Sequence, residues 1–592
     1  MSETEQRVWV EQTGGNGSAV PRTEGNAAVT QNPQMVGMGM AGANGPNGNY
    51  AAPNGMPLPP APYMVVPGKP PVQDTEETKR MKENYGFLAP AAFVYAVFYA
   101  FCMYKNASGI TFPFFVGGSL VFFCLSFSKL GITLKKGSVF YMAAMILLGI
   151  STFCTDDARI IFFNKLGAFL LLMSFLLKQY FNTAGWKLGK FISSICVLVF
   201  ASFGELARPI SDGVAYGKGR EKKLDKRIWY FALGLLLGIP LLFVVLLLLA
   251  SADAIFSQMT NNLLRAINLD NIFNVLFRIA VLFFASYALT AYLCKKKIRE
   301  EVPDRRRGEP VLAITVTSLL TIVYLLFSGI QIGGLFLGRL QLPQGYTYAV
   351  YAREGFFQLL AVSFLNLVIV LACLSYFRES RVLKGILTVM SLCTFIMIAS
   401  SAMRMIIYIR YYYLTFLRIL VLWGLALLAA LFVGVVIHIF REKFPLFRYS
   451  MAVTAVLYLA LSFAHPDYII ARVNVANAPG AGNVWQNAED GFFLAGEPYQ
   501  DYDYLRGLSA DAAPVLVPYL EELGYHMEAF YKESPVVYAQ EIGAIGSGAR
   551  TAYPGQESFG YYWMSKQRKI LDSLDIRTFN LSRYRVLRLF DR

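Results

Sequence analysis

The chain is 592 residues long, 55% hydrophobic and only 16% charged, a balance that a soluble domain could not bury without leaving very large apolar patches in water. Repeated apolar segments bounded by Lys and Arg place it instead among all-α polytopic integral membrane proteins. The net charge of +15 falls largely in short loops beside those segments, where the positive-inside bias accounts for it, so nucleic acid is not an expected partner and the lipid bilayer is.

Residues 1–84 are a different material. From Gly14 to Pro71 they are rich in Gly, Asn and Pro, with too few large apolar side chains to offset the entropy of ordering, and they read as a disordered cytoplasmic tail. No basic stretch followed by an apolar run and a cleavage site opens the chain, so a cleaved signal peptide is not expected. The Pro-rich part could bind a cytoplasmic partner or be plain solvated chain.

Residues 85–203 read as an N-terminal transmembrane bundle. Phe87–Met103, Phe112–Phe127, Val139–Phe153 and Ile160–Leu177 alternate between loops with several Lys or Arg and loops poor in them, which puts the N-terminus inside. Phe191–Ala201 is the exception. A stretch near 11 to 14 residues is short for a span and has basic clusters on both sides, Lys187 and Lys190 before it and Arg208 to Arg227 after it. It reads as a re-entrant or interfacial helix that does not cross.

Residues 204–464 read as the core transmembrane domain. Ile228–Ala250, Ile272–Cys294, Val311–Leu337, Phe356–Tyr376, a helix from about Ile386, Phe416–Phe440 and Ser450–Phe463 bring the total to about eleven spans, with the C-terminus outside. Glycines four apart, Gly234 with Gly238 and Gly329 with Gly333, would let helices approach closely or mark a hinge. Few ionisable residues lie mid-span and no internal repeat is visible, which counts against an ion-coupled transporter. Residues 465–592 read as a small, mainly helical domain outside, with helices near Leu505–Leu508, Asp511–Leu523, capped by Ser509 or Asp511, and Tyr562–Leu574, and with a basic end, Arg577 to Arg592, that reads as a solvated basic helix or as a surface for anionic lipid headgroups or wall polymers.

The seven cysteines lie in or beside apolar segments without CxxC spacing, and the three histidines are scattered, so neither a disulfide framework, a metal site nor a cofactor is expected. With the parity above, three polar groups share the outer face. Ser251-Ala-Asp253 can cap a short amphipathic helix, and Asp253 is a candidate outer-face acid. Arg353-Glu354 and Gln358 lead into a span, with Thr347 as a candidate N-cap and Glu354 and Gln358 on one helical face. Arg404, Tyr408 and Tyr411 form a stripe, after which Thr415 caps a returning helix carrying Arg418. Arginine in the outer leaflet needs a partner, and Glu354 is the first candidate. The charges could tie hairpins together, or Arg404 and Arg418 could bind a phosphate or carboxylate among tyrosines.

Five motifs in order resemble a known family: Tyr351-Ala-Arg353-Glu354-Gly-Phe-Phe-Gln358, the Arg404–Tyr408–Thr415–Arg418 hairpin, Asp467-Tyr-Ile-Ile-Ala-Arg472-Val-Asn474, Asp503-Tyr504-Leu505 with Leu508-Ser-Ala-Asp511, and Phe579-Asn580-Leu-Ser-Arg583. From about Gly204 onward the chain is similar to a bacterial multi-spanning membrane family of unknown function, of the domain-of-unknown-function 4173 type. The resemblance implies a bacterial cytoplasmic membrane protein and supplies no catalytic residues or substrate. The expected function is non-enzymatic, an outer-face surface for an anionic ligand or envelope component in signalling or assembly. The alternatives are a glycosyl- or phospho-transferase-like enzyme acting on a lipid-linked substrate, with Glu354 or Asp253 as base, and a transporter. The first outer loop, Tyr104–Thr111, lacks the acid that such transferases carry there; Asp156-Asp157 lies in the second.

Overall fold

The structure is a computed structural model that describes residues 74–183, 185–219, 269–301, 306–333, 348–476, 502–522, 556–572 and 574–590, with five isolated helical positions between 234 and 249. The regular elements among the described residues are helices, with one isolated β-bridge, Gly308 to Phe377. In chain order the helices are α1 (Glu76–Glu83), α2 (Tyr85–Met103), α3 (Thr111–Leu130), α4 (Ser138–Cys154), α5 (Ala158–Tyr180), α6 (Leu188–Ser202), α7 (Arg208–Gly219) and α8 (Leu269–Cys294). There follow α9 (Pro310–Gln331), α10 (Tyr348–Tyr376), α11 (Arg381–Tyr412), α12 (Phe416–Phe440) and α13 (Leu446–Phe463). The last five are α14 (Pro466–Ala476), α15 (Tyr502–Gly507), α16 (Ala513–Glu522), α17 (Gln556–Leu571) and α18 (Leu581–Phe590). Among the described residues, ten helices are long and apolar enough to cross a membrane. The protein is a polytopic, all-helical membrane protein.

Local chemistry fixes several helix ends. Thr75 caps α1 by accepting from the Thr78 N–H, with Glu76 and Glu77 in its first turn and Arg80 and Lys82 in its last, the distribution that suits the helix dipole. Asp157 caps α5, accepting from the Arg159 N–H at 2.9 Å. Gly131, at φ +73°, closes α3 in the left-handed conformation that its missing Cβ permits.

Hydrogen bonds between helix ends define two opposite faces of the bundle. At the first, Thr75 donates to the carbonyl of Cys294 at the end of α8, and Arg80 donates to that of Leu130 at the end of α3. Lys135, before α4, donates to the carbonyl of Phe181, after α5. Lys296 pairs with Glu77, and Lys384 pairs with Glu379 and Glu442. We call this the basic face. At the other face the loops after α2, α4, α11 and α13 meet the C-terminal segments, which form a cap.

The two shortest apolar helices of the bundle behave differently. At 17 residues, α4 nevertheless runs from one face to the other: Ser138 accepts from Gln179 on the basic face, and Thr155 meets Asp511 under the cap. The helix α6 is longer than the sequence suggests, because the 3₁₀ turn Phe203–Glu205 extends it to 18 residues, Leu188–Glu205. Length therefore no longer argues against crossing. Its anchors do: Trp186, just before it, donates to the Glu300 carbonyl at 3.1 Å, and Glu205, at its end, pairs with Lys295. Both flanks thus dock on one short segment at the end of α8.

Packing groups the helices into two lobes under the cap. One core runs through α1 to α6 and α8, with Phe127, Phe175, Leu176 and Tyr287 at its centre; another joins α9 to α12 around Val370, Leu387, Met390 and Phe432. The cap has its own core, with Trp563, Met564, Leu516 and Val586 buried against Ile470 and Leu505. Burial of such side chains from water stabilises each by roughly 1.5–3 kcal/mol. The basic end is a helix, α18, and it departs from the solvated helix expected there in one respect: one of its faces packs into the cap. Asn580 accepts from the N–H groups of Ser582 and Arg583, and Ser582, Val586 and Phe590 turn inward four residues apart.

Candidate functional site

The residues singled out from sequence fall in three states. Asp253 lies outside the described residues, as do the side chains of Arg353, Glu354 and Tyr411, so the Glu354 pairing stays an expectation. Gln358 is on α10 and exposed. The expected cap Thr347 lies outside the described residues, and α11 ends at Tyr412, as expected.

Arg404 is 7% exposed inside the bundle. Its Nη2 faces Gln331 Oε1 at 3.5 Å, and the same oxygen accepts from Ser400 at 2.6 Å. A Cβ on Gly355 would collide with the guanidinium, so the lack of a side chain there makes room for it. Arg418 is held differently. Its guanidinium lies 4.5 Å from the Tyr408 ring centroid and donates to the carbonyls of Tyr412 and Tyr413, where α11 ends and the turn begins. Tyr413 stands at φ +61°, and Arg418 ties down that strained turn. Thr415 is the N-cap residue of α12, without a side-chain cap bond. The hairpin therefore gathers Arg404, Tyr408 and Arg418 on one side, with the two arginines serving separate contacts.

A second polar group lies under the cap, and it draws on residues to which sequence reasoning assigned no binding or catalytic role, only a helix cap at Ser509 or Asp511; Ser509 is that cap, accepting from the Asp511 N–H. Asp511 sits at the centre of the group, 5% exposed. Its Oδ1 accepts from the Asp156 N–H at 2.9 Å and from the Ser582 hydroxyl, and its Oδ2 accepts from the Thr155 hydroxyl and faces His465 Nδ1 at 3.3 Å. Arg159 grips Asp157 in a bidentate pair at 2.9 and 3.0 Å and also reaches Asp467, whose other oxygen accepts from the Ser509 N–H at 2.9 Å. Arg583 donates to Asp156 at 2.7 Å. Asn580 donates to the carbonyls of Ser108 and Thr155, and Asn474 exchanges hydrogen bonds with the backbone of Leu414. Three motifs far apart in sequence thus lock onto three bundle loops.

Burial and hydrogen bonding push these acids apart. Burial raises the Asp156 carboxyl above its ordinary pKa against the opposing Arg583 charge, and burial with the neighbouring Asp157 charge raises Asp467. Burial also acts on Asp511, but hydrogen bonds from His465, Ser582 and Thr155 outweigh it and hold that carboxyl below its ordinary value. The signal available in sequence was Asp156-Asp157 followed by Arg159 in an otherwise apolar chain, together with the Asp467, Asp511 and Asn580 motifs. Among the described residues no group of three His, Cys, Asp or Glu side chains is placed to hold a metal ion.

A family model described as domain of unknown function (DUF4153) matches residues 142–519, more than half of the chain. The chain belongs to this family. The number differs from the type the motifs resemble, and the match begins well before Gly204 and ends before the Phe579–Arg583 motif. Of the residues in the polar group that locks the cap to the bundle, which we call the latch, the DUF4153 match takes in Asp156, Asp157, Arg159, His465, Asp467 and Asp511, while Asn580, Ser582 and Arg583 lie beyond it. No curated protein and no solved structure matches the chain.

Proposed function

We propose that this DUF4153 protein is a non-enzymatic protein of the bacterial plasma membrane, with the N-terminus and basic face in the cytoplasm and the cap outside. The cap would present a rigid surface to an anionic envelope component in signalling or assembly. The orientation rests on the concentration of Lys and Arg at one end of the helices and on α6 returning to the face from which it starts.

The observation that carries the non-enzymatic reading is the saturation of the latch. Both oxygens of Asp511 and of Asp467 are occupied by donors of the protein itself. Buried acids spent in this way hold surfaces together rather than wait for a substrate. The cap's last helix then carries exposed Arg585 and Arg588, which suit an anionic partner.

Two measurements test this. Accessibility labelling of cysteines placed at Lys187 and Leu206 should find both on the cytoplasmic side; opposite sides would reverse the orientation of everything after α6. In a deletion strain, an R585E/R588E variant should keep wild-type membrane abundance and fail to complement the envelope phenotype, whereas full complementation removes this helix as the partner surface. The enzyme reading expects a different result, namely that D156N or D511N keeps normal abundance and abolishes turnover of a lipid-linked substrate.

A further inference from the structure

The segment from Phe203 to Gly219 has two unlike sides. Toward the protein, Asp212 accepts from the Tyr287 hydroxyl at 3.2 Å and pairs with Arg208, while Tyr216 packs on Tyr85 at a centroid distance of 5.5 Å. Away from the protein, Phe203, Leu206, Ile210 and Val214 form an apolar stripe at helical spacing, with Phe203, Ile210 and Val214 exposed by 63%, 62% and 54%. In a water-facing loop such a stripe would be costly, and no described element covers it.

Depth and charge indicate what does. Tyr287 lies seven residues before the end of α8, about 10 Å along a helix axis, so α7 sits beside the last two turns of a candidate span, at the level where hydrocarbon gives way to headgroups. Just beyond that end come Lys297 and Arg299, both exposed. An apolar stripe at the boundary with cations above it is the pattern of an interfacial helix drawn to an anionic leaflet.

We propose that Phe203–Gly219 is a lipid-binding shelf, with the stripe seated in the acyl boundary of the leaflet at the basic face and Lys297 and Arg299 holding the phosphates of anionic phospholipid. The shelf grips the bundle through Tyr287 and through the Glu205–Lys295 pair, so bound lipid bears directly on the end of α8. The assignment does not depend on which side of the membrane that face occupies.

The test uses the full-length chain, with its native cysteines replaced, in vesicles of neutral phosphatidylcholine or of a mixture with phosphatidylglycerol. A fluorophore at I210C or V214C should be quenched by a nitroxide carried on shallow lipid and protected from aqueous iodide, whereas one at K297C should show the reverse. Adding phosphatidylglycerol should increase the lipid quenching at Ile210, and K297Q/R299Q should abolish that increase while melting at the wild-type temperature. Iodide access to positions 210 and 214 would overturn the seating of the stripe, and quenching indifferent to phosphatidylglycerol would overturn the anionic site.

Discussion

Two clusters of ionised side chains lie at the cap end of the bundle, and they differ in where their partners come from. In the hairpin, Arg418 serves carbonyls five and six residues away and a ring on the neighbouring helix. Under the cap, Asp511 is bonded to residues 356 and 71 positions away and Arg583 to one 427 away. The first cluster stabilises a turn. The second closes loops of several hundred residues, so its loss should free a whole domain, and the difference in sequence distance is a difference in mechanical consequence.

The largest expected effect is therefore in the latch. In D511N one acceptor becomes an NH₂ that must face the Thr155 hydroxyl or the Ser582 and Asp156 donors, leaving buried groups unsatisfied at a cost of about 3–5 kcal/mol. Limited proteolysis in detergent should then cut the cap while the bundle survives. Acid should reproduce this effect late. The folded Asp511 carboxyl lies below its unfolded value, so its contribution is present above the ordinary carboxylate range and is lost as pH falls through the depressed value. Asp156 and Asp467 are raised and work the other way, since protonation relieves the cost of their buried charge as pH falls from neutral. Cap protection should hold or rise slightly from neutral pH downward and collapse only at the acid end; an early collapse would show that Asp511 is not the dominant group.

A smaller effect is expected at Gly355. A Cβ there meets the Arg404 guanidinium, so G355A must displace the side chain or part α10 from α11, at about 1–3 kcal/mol. G217A, where a Cβ meets nothing, is the control. Equal melting temperatures for the two variants would show that the arginine moves aside without cost.

What the sequence made legible follows the same division. The apolar spans that fall among the described residues, the ends of α11 and α12 and the Arg404–Tyr408 stripe are local patterns with a period of three to four residues, and they stand where expected, while the expected span Ile228–Ala250 lies outside those residues but for five isolated helical positions. The length of α6 was read short because Lys190 and the Phe203–Glu205 turn look like boundaries in a hydropathy profile, although both belong to one continuous helical run. The helix α18 reads as solvated, and its docked face goes unseen, because Arg583, Arg585 and Arg588 outweigh the Ser582–Val586–Phe590 stripe that it buries. The latch was invisible as a unit. Its motifs could be quoted one by one, but no local pattern tells Asp156 that its neighbours are Asp511 and Arg583.

The smallest expected effect sharpens the contrast from the other side. If the hairpin cluster is local, R418K should cost about 1 kcal/mol or less: lysine keeps the charge and one bond to the turn, but loses the planar stack on Tyr408 and the second carbonyl. The cap should remain as resistant to protease as in the wild type, because neither Asn474 nor Tyr504, which hold the cap to Leu414 and Phe416, bonds to Arg418. Measured beside D511N, a loss of cap protection in R418K would mean that the turn at Tyr413 transmits to the latch and that the two clusters are one site; its retention keeps them separate, one shaping a loop and the other closing a domain.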